Sequence, residues 1–204
     1  MTKIYLIRHG STALNGEGRY IGRQTDVCLN ERGRREAGWG ADYLRSVAVD
    51  RLWSSPLRRA VETAATIGEA LDSEPVLEPL AAEVDFGAWD GKTFSEIQAE
   101  SPGLVREWAA FHPSFQFPGG ESLADFQDRI DRLALKIAAA PKSALALVTH
   151  GGVVRFLICR LLKLDYKNHL AFNVPPGSIS ELKLYDQGAG VLCSLLHPAS
   201  GKEL

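Results

Sequence analysis

The chain has 204 residues, 45% hydrophobic and 24% charged, and its 23 Lys and Arg against 25 Asp and Glu give a formal net charge of −2. That balance excludes a disordered chain and the broad basic field of a nucleic-acid partner, so any anion must be held locally. No apolar run approaches membrane-spanning length, so no membrane partner is expected, and repeats and low-complexity tracts are absent.

Residues 3–8 (KIYLIR) form a short, apolar, β-branched-rich run that reads as a buried strand ending at Gly10. Residues 10–30 hold Gly10, Asn15, Gly16, Gly18 and Gly22, a turn-rich stretch expected to sustain no helix. Helical spacing begins at Asn30 and runs to Ala48, followed through Asp50 by a short strand over 51–54 that Ser55-Pro56 closes. Leu57, Val61, Ala64, Ile67 and Leu71 then fall on one helical face, and 76–80 is a further candidate strand.

Glycines and prolines punctuate residues 81–121 around two short helical stretches, which reads as a helical cap inserted over about 92–121. Ser122 and Asp125 stand at capping spacing before a helix whose stripe is Leu123, Phe126, Ile130, Leu133 and Ile137, with Pro141 as its stop. Residues 144–149 (ALALVT) form the second apolar strand, and it runs into His150-Gly151-Gly152 and a helix over 153–162. Two closing strands over 179–185 and 191–197 pair across a turn at 188–190. Alternating strands and helices predict a single α/β domain over 1–204, a three-layer αβα sandwich around a mainly parallel sheet.

Cys28, Cys159 and Cys193 lie far apart without a CxxC pair, which reads as free thiols in a reducing compartment, with Cys28 expected to be a small buried residue and, as the alternative, an oxidation-sensitive thiol near the site. The opening Met-Thr-Lys lacks the pattern of a secretory signal, so a cytoplasmic protein is expected. The sequence leaves a homodimer open.

Two strands thus end in histidine-glycine, Arg8-His9-Gly10 and Thr149-His150-Gly151, and ligand sites of open α/β sheets lie beyond the carboxyl ends of strands. One such histidine is most often a structural residue; two in equivalent positions, one preceded by arginine, point to a shared crevice. A histidine attacks phosphorus through an unprotonated ring nitrogen, so its other nitrogen should donate to a fixed acceptor near Gly10. Phosphoryl transfer asks mainly for alignment and for neutralised oxygens, which guanidinium groups supply without a metal. Arg8 is one candidate, and the strand-to-helix turn SSPLRRA offers Arg58 or Arg59, of which one faces inward. Leaving-group departure needs a proton, for which Glu83 is placed, with Asp85 and Asp90 as local rivals.

Together IRHGST at 7–12, Asn15, RYIG at 19–22, SSPLRRAVETA at 54–64, EVDFGAWDG at 83–91, PGGES at 118–122 and VTHGGVVR at 148–155 resemble the histidine phosphatase superfamily over most of the chain. The resemblance implies that His9 is the phosphorylated nucleophile, that Arg8, Arg59 and His150 complete the phosphate pocket, and that Glu83 is the proton donor. It also implies that Ser11, Asn15, Ile21, Gly22 and Gly151 touch the phosphate or the substrate, a small phosphorylated metabolite, with no cofactor and no metal. Ser11 stands where many relatives have Glu or Gln, and Cys28 stands where proline is usual.

Ile21 replaces the threonine expected in mutases of the family, and no extra basic clamp is present, which favours hydrolysis over transfer. The insertion holds Phe94, Trp108, Phe111, His112, Phe115 and Phe117. Cap packing is expected to account for most of them, while an aromatic lining would suit a nucleoside-like ligand. The arrangement is most similar to alpha-ribazole phosphatases, with a sugar-phosphate or broad-specificity phosphatase as the alternative, then a phosphoglycerate mutase or a non-catalytic phosphate-binding module. HExxH and GxxxxGK[ST] motifs are absent.

Overall fold

The computed structural model describes residues 1–112, 114–140, 143–185 and 190–198. Its centre is a six-stranded sheet of β1 (Thr2–Arg8), β2 (Arg51–Ser54), β3 (Val76–Leu77), β4 (Ala144–Thr149), β5 (Ile179–Leu184) and β6 (Gly190–Leu196), in the order β3-β2-β4-β1-β5-β6. The pairs β3–β2, β2–β4 and β4–β1 are parallel, whereas β5 and β6 add antiparallel at one side. The expected mainly parallel sheet is thus present.

Period-two alternation sends the residues of the central strands to two cores. Ile4, Leu6, Leu145 and Leu147 pack with α6 (Leu123–Ala139) and α7 (Gly151–Leu161), while Tyr5, Ile7, Ala146 and Val148 pack with α2 (Glu31–Arg45) and α3 (Arg58–Leu71). With both faces covered, β4 is buried throughout, which explains its unbroken apolar run. The stripe of α6 is buried as expected, and Ser122 caps it by accepting from the Asp125 N–H. Burying one Leu or Ile of that stripe contributes roughly 1.5–3 kcal/mol.

Several sequence expectations need correction. Residues 10–30 do hold one helical turn, α1 (Ala13–Gly16), because Thr12 and Asn15 form a reciprocal cap. The strand expected over 76–80 stops at Leu77, since Glu78 and Pro79 open a 3₁₀ turn over Pro79–Ala81. Cys28 is exposed, as is Cys193, and Cys159 is buried. The helix stop at Pro141 and most of the turn at 188–190 lie outside the described residues.

Within the expected insertion, α4 (Phe94–Glu100) and α5 (Pro102–Ala109) bring Ile97 and Val105 into the same apolar cluster as the sheet. Among the described residues, no helix is long and apolar enough to cross a membrane.

Candidate active site

The register of β1 against β4 sets Arg8 opposite Thr149, so the chain leaves both strands at one level and the next residues, His9 and His150, emerge side by side. Their rings are 5.1 Å apart between centroids. The His9 N–H donates to the Thr149 carbonyl at 2.8 Å, which fastens one turn to the other. Gly10 is required here by close approach: a β-carbon on it would lie 2.3 Å from the Gly33 carbonyl oxygen of α2.

His9 Nδ1 lies 2.8 Å from the Gly10 carbonyl oxygen, so a neutral ring carries its hydrogen there and leaves the Nε2 lone pair available. Arg59 Nε donates to that lone pair at 3.2 Å. Burial, followed by the charges of Arg59 and Arg8, pushes the His9 pKa well below its usual value, so the ring is unprotonated at neutral pH. The same causes, burial foremost, push down His150.

Arg59 is fully buried at the start of α3 and donates to the carbonyls of Thr25, Ile21 and Gly22. Arg58 points outward, its side chain 63% exposed and paired with Glu62. The choice between the two arginines is therefore settled by the helix face. Arg8 donates to the Val174 carbonyl at 2.7 Å, and burial, then the nearby Arg155 charge, lowers its pKa to about 10. Arg8 Nε and His150 Nδ1 are buried without a hydrogen-bond partner among the described residues. Polar atoms left open in this way, beside two guanidinium groups, suit an anionic ligand.

Glu83 stands across from them, accepting from the N–H groups of Val84 (3.1 Å) and Gly152 (3.2 Å). Its loop is held by Arg129 of α6, which donates to the carbonyls of Leu80 and Ala82. Of the two rivals, Asp90 is occupied by the N–H groups of Gly22, Gln24 and Thr25, and Asp85 accepts from Gly87 and Gln24.

A cavity of about 530 Å³ opens over part of this cluster: Arg8, His9, Asn15, Ile21, Glu83 and Gly151 line it, whereas the fully buried Arg59 and His150 do not. Gly22 does not line it, although its carbonyl holds Arg59. Ser11 also lies outside: its N–H and hydroxyl both donate to the buried carboxylate of Glu36. Phe94, Trp108, Phe111 and Phe117 contribute to its wall, but Phe115 and Phe117 are buried in the core and Trp108 and Phe111 pack against it, so packing accounts for most of the insertion aromatics, as expected; His112 bonds Ser114 at the surface. Sequence reasoning passed over Arg155 and His169, which also line the cavity, as well as Glu36 and Arg129. The arginine of VTHGGVVR was visible as a residue, but its position one helical turn beyond Gly151 was the only hint. Among the described residues, no three of His, Cys, Asp and Glu are grouped to hold a metal ion.

A family model described as "Histidine phosphatase superfamily (branch 1)" matches residues 4–194. The chain belongs to the histidine phosphatase superfamily. It is 37% identical over 196 residues to "Bifunctional protein Rv2228c" of Mycobacterium tuberculosis; the match covers 92% of this chain but only 52% of that relative, so the chain spans about half its length. It is 31% identical to "Phosphoserine phosphatase 1" of Hydrogenobacter thermophilus, over 92% of this chain and 89% of that one.

Among solved structures, the alpha-ribazole phosphatase from Shigella flexneri superposes with a TM-score of 0.87 at 26% identity, over 100% of both chains. The mycobacterial glucosyl-3-phosphoglycerate phosphatase complexed with VO3 superposes with a TM-score of 0.82 at 30% identity, over 95% of this chain and 98% of that one. These histidine phosphatases differ in the substrates their names carry, so the likeness is to the family's scaffold as a whole.

Proposed function

We propose that this histidine phosphatase hydrolyses a small phosphomonoester through a phosphohistidine at His9. The observation that carries the proposal is the His9 ring: Nδ1 is tied to Gly10, and Nε2 presents a lone pair between Arg59, Arg8 and His150. Nε2 attacks phosphorus as the bond from phosphorus to the ester oxygen breaks, and Glu83 gives its proton to the departing oxygen. A water molecule then attacks the phosphohistidine, loses its proton to Glu83, and releases Nε2 with its electron pair. Arg8, Arg59 and His150 neutralise or bond the equatorial oxygens during both steps.

For the leaving group, the reading is a bulky, planar, nucleoside-like one, with alpha-ribazole phosphate as the leading substrate. Tyr20, Phe86, Phe94, Trp108, Phe111 and Phe156 along the cavity support it, as does the resemblance to the alpha-ribazole phosphatase, and residues 92–121 then serve as a cap that supplies part of this wall. A second reading, a phosphatase of phosphorylated acids or sugars, is favoured by Arg155 in the same wall and by the names of the phosphoserine and glucosyl-3-phosphoglycerate relatives.

The test is hydrolysis of a chromogenic phosphate ester with a chelator present, by wild type and by His9→Ala, followed by kcat/KM for alpha-ribazole phosphate, phosphoserine and sugar phosphates. Turnover confined to the wild type is expected, with the nucleoside-like ester preferred. Equal turnover by the two proteins ends the nucleophile assignment, and a preference for phosphoserine transfers the substrate to the second reading.

A further inference from the structure

Ser55 and His150 are 95 residues apart, and the sheet joins them: Ser54 of β2 lies opposite Val148 of β4, and the Ser55 N–H donates to the Val148 carbonyl. Both side chains are completely buried, and Ser55 Oγ lies 2.7 Å from His150 Nε2. A serine hydroxyl has one hydrogen to give and can accept others. The Leu57 N–H already donates to this oxygen at 3.3 Å, and among the described residues the other hydrogen-bond partner of the hydroxyl is His150 Nε2. The hydroxyl hydrogen therefore goes to Nε2. The reverse arrangement, Nε2–H donating to the oxygen, would strand the hydroxyl hydrogen in the interior.

An accepting Nε2 carries no hydrogen, so the neutral ring holds its hydrogen on Nδ1. Nδ1 is also the one ring atom of His150 that is buried without a partner, and the ring faces His9. A hydroxyl at the end of one strand thereby decides what the ring at the end of its neighbour offers to a ligand.

We infer that Ser55 is a positioning residue that fixes His150 as the Nδ1–H tautomer, so that a donor and not a lone pair meets an oxygen of the transferring phosphoryl group. With the other tautomer, the Nδ1 lone pair would face a phosphoryl oxygen and repel it. Ser55 touches neither substrate nor phosphorus and acts only through His150. The inference rests on the phosphohistidine reading of His9, but its first readout is a property of the free enzyme, so the two can fail separately.

That readout is the nitrogen NMR spectrum of wild type labelled with 15N-histidine and freed of phosphate, with His150 assigned by its absence in His150→Asn. The expected spectrum shows His150 protonated at Nδ1 and unprotonated at Nε2. In Ser55→Ala the tautomer should become mixed or reverse, and the affinity for orthovanadate should fall roughly tenfold, the size of one hydrogen bond lost to a charged ligand. A wild-type His150 protonated at Nε2 overturns the inference even if no Ser55 variant folds. An unchanged tautomer in Ser55→Ala, or an unchanged vanadate affinity, also overturns it. None of these results bears on whether His9 is the nucleophile, which the His9→Ala assay decides.

Discussion

Arg59 Nε donates to His9 Nε2 across 3.2 Å, so the lone pair proposed to attack phosphorus is also the atom that receives a guanidinium hydrogen in the free protein. The contact keeps the ring unprotonated and in place, and an incoming phosphoryl group must divert that hydrogen to one of its own oxygens. Because Arg59 also holds the Thr25, Ile21 and Gly22 carbonyls, the group that shapes the entry loop is the group proposed to meet the anion.

Arg59→Met should therefore fail in two ways. Loss of a preorganised donor lowers kcat/KM by about 10²- to 10³-fold. The abandoned buried carbonyls cost stability on the order of 3 kcal/mol, read as a lower urea midpoint. Arg58→Met, one residue away on the exposed side, should leave turnover unchanged. Equal effects at the two positions would mean that the inward face of α3 has been misassigned.

Glu83→Gln keeps the shape of the side chain and removes its proton-transfer capacity. With an alkyl phosphate, whose leaving oxygen is basic, kcat/KM, which reports the phosphorylation step and not the later attack of water, should drop by about 10²- to 10⁴-fold. The drop should be much smaller with p-nitrophenyl phosphate, whose leaving group departs without a proton. A uniform loss across both esters would remove Glu83 from the acid role and return Asp85 to consideration.

Gly152→Ala separates activity from stability. A β-carbon there would come within 2.6 Å of Glu83 Oε1, the end of a flexible side chain that can swing away. Alanine in place of glycine in the first turn of α7 favours the helix, by up to about 1 kcal/mol. The expected variant melts no lower than wild type yet loses turnover of alkyl phosphates, as Glu83→Gln does. Full activity would show that the carboxyl has no fixed working position.

The sheet and the two histidine turns were legible because their signals are local. KIYLIR and ALALVT carry the continuous apolarity of strands covered on both faces, and each ends in the same histidine-glycine pair. The inward turn of Arg59 followed from family spacing. What escaped depends on partners distant in sequence. Ser11 looked like a ligand residue until Glu36, on another element, took both its hydrogens. Ser55 looked like a turn residue until the parallel register of β2 and β4 put it under His150. The strand at 76–80 was cut short by Pro79, which starts a 3₁₀ turn after Glu78 caps it.

The two buried histidines also make stability depend on pH. In an unfolded chain each titrates near 6.5, whereas burial beside Arg59 and Arg8 holds both well below that value when folded. Above about pH 6.5 neither state binds these protons, and the stability associated with the neutral rings is fully present. As pH falls below that value, the unfolded chain takes up protons that the folded one refuses, so unfolding is favoured until the folded pKa values are reached. Each histidine can cost up to about 1.4 kcal/mol per pH unit in this window. Between about pH 7 and about pH 5.5 in phosphate-free buffer, the wild type should therefore lose on the order of 2 kcal/mol from this pair. His9→Ala should lose about half as much of that contribution, since only His150 remains to titrate. Urea midpoints measured for both proteins at the two pH values check this, and identical pH slopes would show that His9 is not held neutral by the fold.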